Sequence, residues 1–477
     1  MKIVILSPPF YSHFGPLLAL ADALKRVGAR PSIACTPEFE PEIRAAGMGF
    51  LDLRINRNAN TGRATATAQG RTERRRLQEF LQSTHRGPIE TLRTQNRHRL
   101  ADMLANPEEL LEGVATITAQ QRPDLWVVDQ LSYGATLALI AHGQRFVTFC
   151  PPHPLSIPSV DALYSVPRRF PSPFHVSQDE LATLEREARE LDRQFTHRFN
   201  QLLAPFGRSV ERAFSTASPE LIIHNYPQLA AAERVSLRRS ETAGRRDGRR
   251  VYCGYCFQPG DETAVDAWLS AGQTGRAQES DESGSAIEAG AAAAAEPQAV
   301  RSSAPQRVVI ALGTFLSARL DVLRAAGTAI RALYPQAVIA IGAGDYAEQL
   351  RREIGAPGAS GAPAIVEPFI DQRELLRDAD LFVHHGGVNS LTEALYYQVP
   401  MVVMPFSSDQ FNVAADVEDA HLGAVLDPNE VGVETMQRAV SLARSHTARA
   451  ALSRVSRQVR ARGPSFAARE ILTLHPH

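Results

Sequence analysis

Residues 365–410 read IVEPFIDQRELLRDADLFVHHGGVNSLTEALYYQVPMVVMPFSSDQ, and the middle of this stretch decides the fold. Ala379-Asp380-Leu381-Phe382-Val383 is short and apolar, the pattern of a parallel strand buried on both faces. Ser390-Leu391-Thr392-Glu393-Ala394-Leu395 brings helix-forming residues at helical spacing. Between them lie His385-Gly386-Gly387-Val388-Asn389, so the order is strand, glycine turn, helix. The glycines let the backbone turn tightly and approach a ligand. The helix then directs its unpaired N–H groups and the positive end of its dipole at whatever sits above the turn. That is an anion site, and phosphate suits it. Side chains of His385, Asn389 and Ser390 add donors.

This stretch resembles, without a gap, the signature box of the family 1 glycosyltransferases, nucleotide-sugar-dependent enzymes that glycosylate small lipophilic acceptors. The resemblance implies a role for each residue. His385 takes the diphosphate-binding position beside Gly386 and Gly387, and Asn389 and Ser390 the polar pair of the donor loop. Glu393 falls where a carboxylate holds the ribose hydroxyls, and Asp409-Gln410 where an Asp-Gln pair holds the sugar. Phe369 stands where the family often has Trp under the base, with Gln372 three residues on. Upstream, Leu312-Gly313-Thr314 resembles the Ser-Leu-Gly-Thr segment that reaches the donor phosphates, with Ala311 in place of Ser. The competing reading is an ordinary α/β loop with a core histidine and a helix-facing glutamate.

The 477 residues suffice for two domains, and 44% hydrophobic with 22% charged content is a globular composition. A net charge of −1 gives no general attraction to nucleic acid. No apolar run has the length of a membrane span, and MKIVILSPPF reads as a first strand rather than a signal peptide. Four cysteines in a chain of this size do not make a disulfide scaffold and suit a cytoplasmic protein. Cys253 and Cys256 form a CxxC pair with no second pair to complete a zinc site.

Strand and helix alternate from KIVILS through PSIACT, GFLDL, PDLWVVD and QRFVTFC. The helix PLLALADALKRVG follows the first strand. Residues 54–102 interrupt the pattern with eleven Arg against four acids. They read as a solvated helical face, with weak contact to a membrane surface or an acidic acceptor as the other reading. Residues 151–177, rich in Pro and aromatics, form a long loop over a cleft, and residues 178–215 are helical. Short strands return in PELIIHNY and RRVYCGY. Residues 269–305 are nearly free of bulky side chains and read as a disordered linker. From residue 306 the alternation resumes with RVVIALGTF, PQAVIAIG, APAIVEP, ADLFVHH, VPMVVMP and GAVLD. The expected architecture is α/β of the GT-B type, two doubly wound Rossmann-like domains facing a central cleft. An acceptor-binding domain spans 1–268 and a donor-binding domain 306–477, with the last helices packing back on the first domain, as the resemblance implies.

Ligands of open parallel sheets sit beyond the carboxyl ends of the strands. His13, in SPPFYSHFGP, lies there in the loop after the first strand, where the family keeps its catalytic base. Asp129 ends PDLWVVD and matches the carboxylate that orients that base. A helix N-cap is the competing role for Asp129. Phe10, Tyr11 and Phe14 around His13 suggest an apolar acceptor with an exposed hydroxyl. Asp378 and Asp380 match a metal-diphosphate DxD pattern, but they flank a buried strand rather than converge. Gly342-Ala-Gly344 loosely fits a dinucleotide fingerprint that leaves His13 and Asp409 unexplained. The expectation is an inverting hexosyltransferase that needs no metal and no cofactor, its co-substrate a UDP- or dTDP-linked sugar. A silent sugar-nucleotide-binding subunit and a GT-B epimerase are the alternatives.

Overall fold

Each apolar run picked out above becomes a parallel strand in the computed structural model, which describes residues 1–56, 71–159, 161–229, 248–259, 304–354, 362 and 364–474. The linker expected at 269–305 lies almost wholly outside the described residues. In the first domain the strands are β1 (Lys2–Leu6), β2 (Arg30–Cys35), β3 (Gly49–Asp52), β4 (Leu125–Asp129), β5 (Phe146–Cys150), β6 (Leu221–His224) and β7 (Arg249–Tyr252). They pair in the order β3-β2-β1-β4-β5-β6-β7. In the second they are β8 (Arg307–Ala311), β9 (Val338–Gly342), β10 (Ala364–Glu367), β11 (Leu381–His384), β12 (Met401–Val403) and β13 (Gly423–Val425), in the order β10-β9-β8-β11-β12-β13. Both sheets reverse their winding direction once, between β1 and β4 and between β8 and β11. Such switch points open a crevice at the strands' carboxyl ends. Everything assigned to the site lies at or near these two crevices.

The central strands are buried on both faces, as their unbroken runs of Val, Ile, Leu and Phe require. The helix after β1 runs Tyr11–Arg26 and buries Phe14, Leu17, Leu20, Ala21 and Leu24 at helical spacing. It starts earlier than the sequence suggested, so His13 sits in its first turn and not in a loop. Pro16 lies inside it and has no N–H to return to the carbonyl of Ser12. Asn389 of the second domain takes that carbonyl instead, its Nδ2 donating to Ser12 O at 2.8 Å.

The two domains are tied at their rear by the chain's end. The helix His446–Arg460 packs on the helix Val388–Tyr397 of the second domain, and the helix Gly463–Leu472 crosses to the helix Tyr11–Arg26 of the first. Ala467, Ala468 and Ile471 there share one core with Leu17, Leu20 and Ile5. Cys253 and Cys256 are buried free thiols beside this crossing, donating to the carbonyls of His224 and Pro16. Asp380 accepts the N–H groups of Gln306 and Arg307 at the start of β8, a strand-edge role. Among the described residues no helix is long and apolar enough to cross a membrane.

Candidate active site

A cleft of about 660 Å³ opens between the two switch points and is lined from both domains. On the first-domain side, β1 delivers His13 and β4 delivers Asp129. His13 Nδ1 lies 2.8 Å from Asp129 Oδ2, with the carboxylate fully buried and the imidazole 13% exposed toward the cleft. The second carboxylate oxygen accepts the Leu131 N–H at 2.8 Å. The following helix, Tyr133–Ala141, is capped by Ser132 without a side-chain bond, so Asp129 is not its N-cap. Burial alone would lower the imidazole's pKa. The charge and hydrogen bond of Asp129, with the charge of Asp409 across the cleft, outweigh it, and the pKa is raised. This pair can take a proton from a hydroxyl and keep the resulting imidazolium paired.

The second-domain side is built for an anion. Gly313 follows β8 at φ +72°, and a Cβ there would stand 2.8 Å from the His385 ring. A Cβ on Gly387 would stand 2.6 Å from His385 Nε2, so both glycines are needed for the imidazole to lie where it does. The helix Val388–Tyr397 begins at once, with Gly387 as N-cap and no side-chain cap. The N–H groups of Val388, Asn389 and Ser390 are therefore left for a ligand, next to Thr314 and His385 on the cleft wall. Burial pushes His385 down to about 4, against the carbonyl of Ala311, so the ring is neutral at neutral pH.

Further along, Gln372 Nε2 reaches Ser390 Oγ at 3.3 Å and also donates to Glu393. Burial raises the Glu393 carboxyl to about 7, opposed by that bond from Gln372. Phe369 stands 73% exposed at the end of this row, a free apolar face. Asp409 and Gln410 line the cleft, and Gln410 Oε1 accepts the N–H groups of Phe406 and Ser407 at 2.9 and 3.1 Å.

Two sequence assignments change. Phe14 is fully buried, its ring centroid 4.6 Å from that of Phe39, so it belongs to the core and not to an acceptor surface. Its helical position, three residues before Leu17, carries it inward. Of the three aromatics, Tyr11 lines the cleft, its hydroxyl bonded to Glu42 at 2.9 Å, while Phe10 lies beside His13 at 6.2 Å between rings. The side chain of Asn389 is not free for phosphate. Its Nδ2 holds Ser12 and its Oδ1 accepts Asn225 Nδ2 at 3.1 Å, both from the first domain.

The acceptor side of the cleft comes largely from segments the sequence left vague. From residue 71 the Arg-rich stretch folds into the helices Arg71–His85 and Pro88–Met103, which present Arg76, Leu77, Phe80, Arg99 and Met103 to the cleft, while its residues 57–70 lie outside the described residues. It is a wall rather than a solvated face alone: Gln95 Nε2 reaches Ser408 Oγ at 2.9 Å, and Arg319 of the second domain donates to Thr84 at 2.8 Å. The loop after β5 adds Pro152, Leu155 and Tyr164. Buried His153, His384 and Asp416 were not anticipated. Asp416 could have been noticed as an acid inside an otherwise apolar helical run.

Comparison with known proteins bears on the fold. Residues 319–467 match the glycosyltransferase family 28 C-terminal domain. The NDP-glycosyltransferase YjiC of Bacillus subtilis is 23% identical over 441 residues, covering 92% of this chain and 88% of that protein. "Uncharacterized UDP-glucosyltransferase YdhE", also of Bacillus subtilis, is 40% identical over 76 residues, and that match spans only 19% of its length. Among solved structures, the glycotransferase of kitacinnamycin superposes with a TM-score of 0.65 at 19% identity, over 100% of this chain and 99% of that one. The fold is GT-B.

Proposed function

We propose, from the chain's place among the family 1-like nucleotide-sugar glycosyltransferases, that it transfers a hexose to a hydroxyl of a small lipophilic acceptor with inversion at the anomeric carbon. The donor is a UDP- or dTDP-linked sugar. The observation that carries this reading is the placement of the His13–Asp129 pair across one cleft from the anion-binding turn at 386–390. The acceptor hydroxyl, far less acidic than an imidazolium ion, loses its proton to His13 as the new C–O bond forms. Asp129 holds the tautomer and balances the charge that His13 acquires. On the opposite face the diphosphate departs toward the N–H groups of residues 388–390, Thr314 and His385. Fixed dipoles there meet the developing negative charge, so the reaction requires no metal. Glu393 with Gln372 receives the ribose, Phe369 the base, and Asp409 with Gln410 the sugar hydroxyls. Leu77, Phe80, Met103, Leu155 and Tyr11 give the acceptor side an apolar surface.

The purified protein, incubated with excess EDTA, UDP- and dTDP-hexoses and a panel of hydroxylated lipophilic natural products, is expected to yield hexosylated product by mass, with the β-anomer from an α-linked donor. Nucleotide binding without product from any acceptor, despite added manganese, would favour a silent binding subunit.

A further inference from the structure

The helix Gln410–Asp419 has Asp409 as its N-cap, with Asn412, Asp416 and Asp419 following at three-four-three spacing, so the four lie along one face. That face meets the first-domain loop after β5. Asn412 Oδ1 accepts the Arg168 N–H at 3.0 Å. Asp419 pairs with Arg168 and Arg169, and Glu418 beside it with Arg169 and Ser172. Asp416, 1% exposed, accepts from the Arg168 guanidinium at 2.8 Å and the Tyr226 hydroxyl at 3.0 Å, with His153 Nε2 at 3.1 Å. All of these partners come from the first domain.

His153 is also 1% exposed, and its two ring nitrogens have distinct tasks. Nδ1 accepts the Leu155 N–H at 3.1 Å, which leaves the ring proton on Nε2 to be donated to Asp416. The main-chain N–H of the same residue donates to Asp409 Oδ2 at 2.9 Å. One first-domain residue therefore grips the helix at two points, two turns apart. A buried carboxylate stripped of its donors is costly, so the ring's bond to Asp416 fixes where the amide stands.

We propose that His153 is a positioning residue for the donor sugar: its ring, anchored on Asp416, fixes the amide that orients the Asp409 carboxylate, so the sugar subsite is complete only when both domains engage. This rests on the reading of Asp409 as a sugar ligand. The nucleoside diphosphate subsite, by contrast, is built within the second domain, from Thr314, His385, the turn and Glu393. Recognition of the sugar and recognition of the nucleotide are then separable by mutation.

Dissociation constants for UDP against UDP-glucose, and for dTDP against dTDP-glucose, separate them, using the pair that wild type binds more tightly. His153→Leu is expected to lower affinity for the sugar nucleotide, and raise its KM, by about tenfold, with affinity for the free diphosphate within about twofold of wild type. His153→Gln, which can still donate to Asp416, restores most of the loss. Tyr226→Phe removes only one donor from Asp416 and gives a smaller shift in the same direction, should His153→Leu not fold. Equal losses for diphosphate and sugar nucleotide, or none for the sugar nucleotide, would overturn the proposal. Asp409→Ala locates the failure. If it loses the sugar-dependent affinity while His153→Leu keeps it, the positioning role is wrong and the sugar-ligand reading stands; if Asp409→Ala also keeps it, both are wrong.

Discussion

Each domain places a histidine beside its switch point, and the two behave oppositely. His13 follows β1 and meets a buried carboxylate 2.8 Å away, which raises its pKa. His385 follows β11 and meets two glycines and a carbonyl, and burial pushes it down to about 4. The same side chain, at the corresponding edge of two similar sheets, is made ready to gain a proton in one domain and held neutral in the other. The fold supplies the position; the partner decides the chemistry. A proton acceptor paired with a carboxylate suits the attacking hydroxyl. A neutral ring beside free helix N–H groups suits a diphosphate that is already negative.

That contrast breaks most visibly at His13. Replacing it with Ala is expected to slow turnover by about 10²–10⁴-fold, with UDP or dTDP affinity by calorimetry hardly changed, since the proposed nucleotide subsite lies on the other domain. Full activity in this variant would move the base elsewhere. The converse variant, His385→Ala, is expected to weaken nucleoside diphosphate binding by about 1–3 kcal/mol. Unchanged affinity would leave the second histidine with a packing role only.

A smaller effect is expected in the pH dependence of binding. With its carboxyl raised to about 7, Glu393 passes from mostly neutral to mostly ionised between roughly pH 6 and 8. In the proposed ribose contact the ionised form is the better acceptor, so ligand binding is expected to favour it and affinity to rise with pH across this window, by up to about tenfold. His385, at about 4, is uncharged throughout and adds no slope. The difference in slope between wild type and Glu393→Gln isolates this carboxyl from the titration of the ligand's own phosphate. Identical slopes would separate Glu393 from the ribose.

The strands were legible because buried parallel strands write themselves as apolar runs; of the thirteen among the described residues, twelve lie within the segments read from sequence, and β2 begins one residue earlier, at Arg30. The turn at 385–390 was legible because glycines, a helix start and polar side chains are contiguous. Phe14 misled because an aromatic next to a candidate base looks like a ligand surface until the helix start is known. The first turn begins at Tyr11 and rotates Phe14 into the core. Asn389 misled for another reason. Its partner carbonyl is freed by Pro16, several hundred positions away in the chain, and no local pattern predicts such a pairing. The polar face at 409, 412, 416 and 419 shows helical spacing in the sequence, but nothing there names Arg168, Tyr226 and His153 as its donors. Contacts between domains depend on how the two sheets are set against each other, which local composition does not encode.

Whether His13 and Asp129 act as one proton-handling unit is decided by turnover in a double-mutant cycle. Asp129→Asn keeps the shape and removes the charge, so alone it is expected to slow turnover without loss of folding or nucleotide affinity. Because the carboxylate acts only through the imidazole, the double variant His13→Ala/Asp129→Asn should lose little more than His13→Ala by itself. Losses that multiply would mean, contrary to this expectation, that the 2.8 Å contact joins two residues with independent roles.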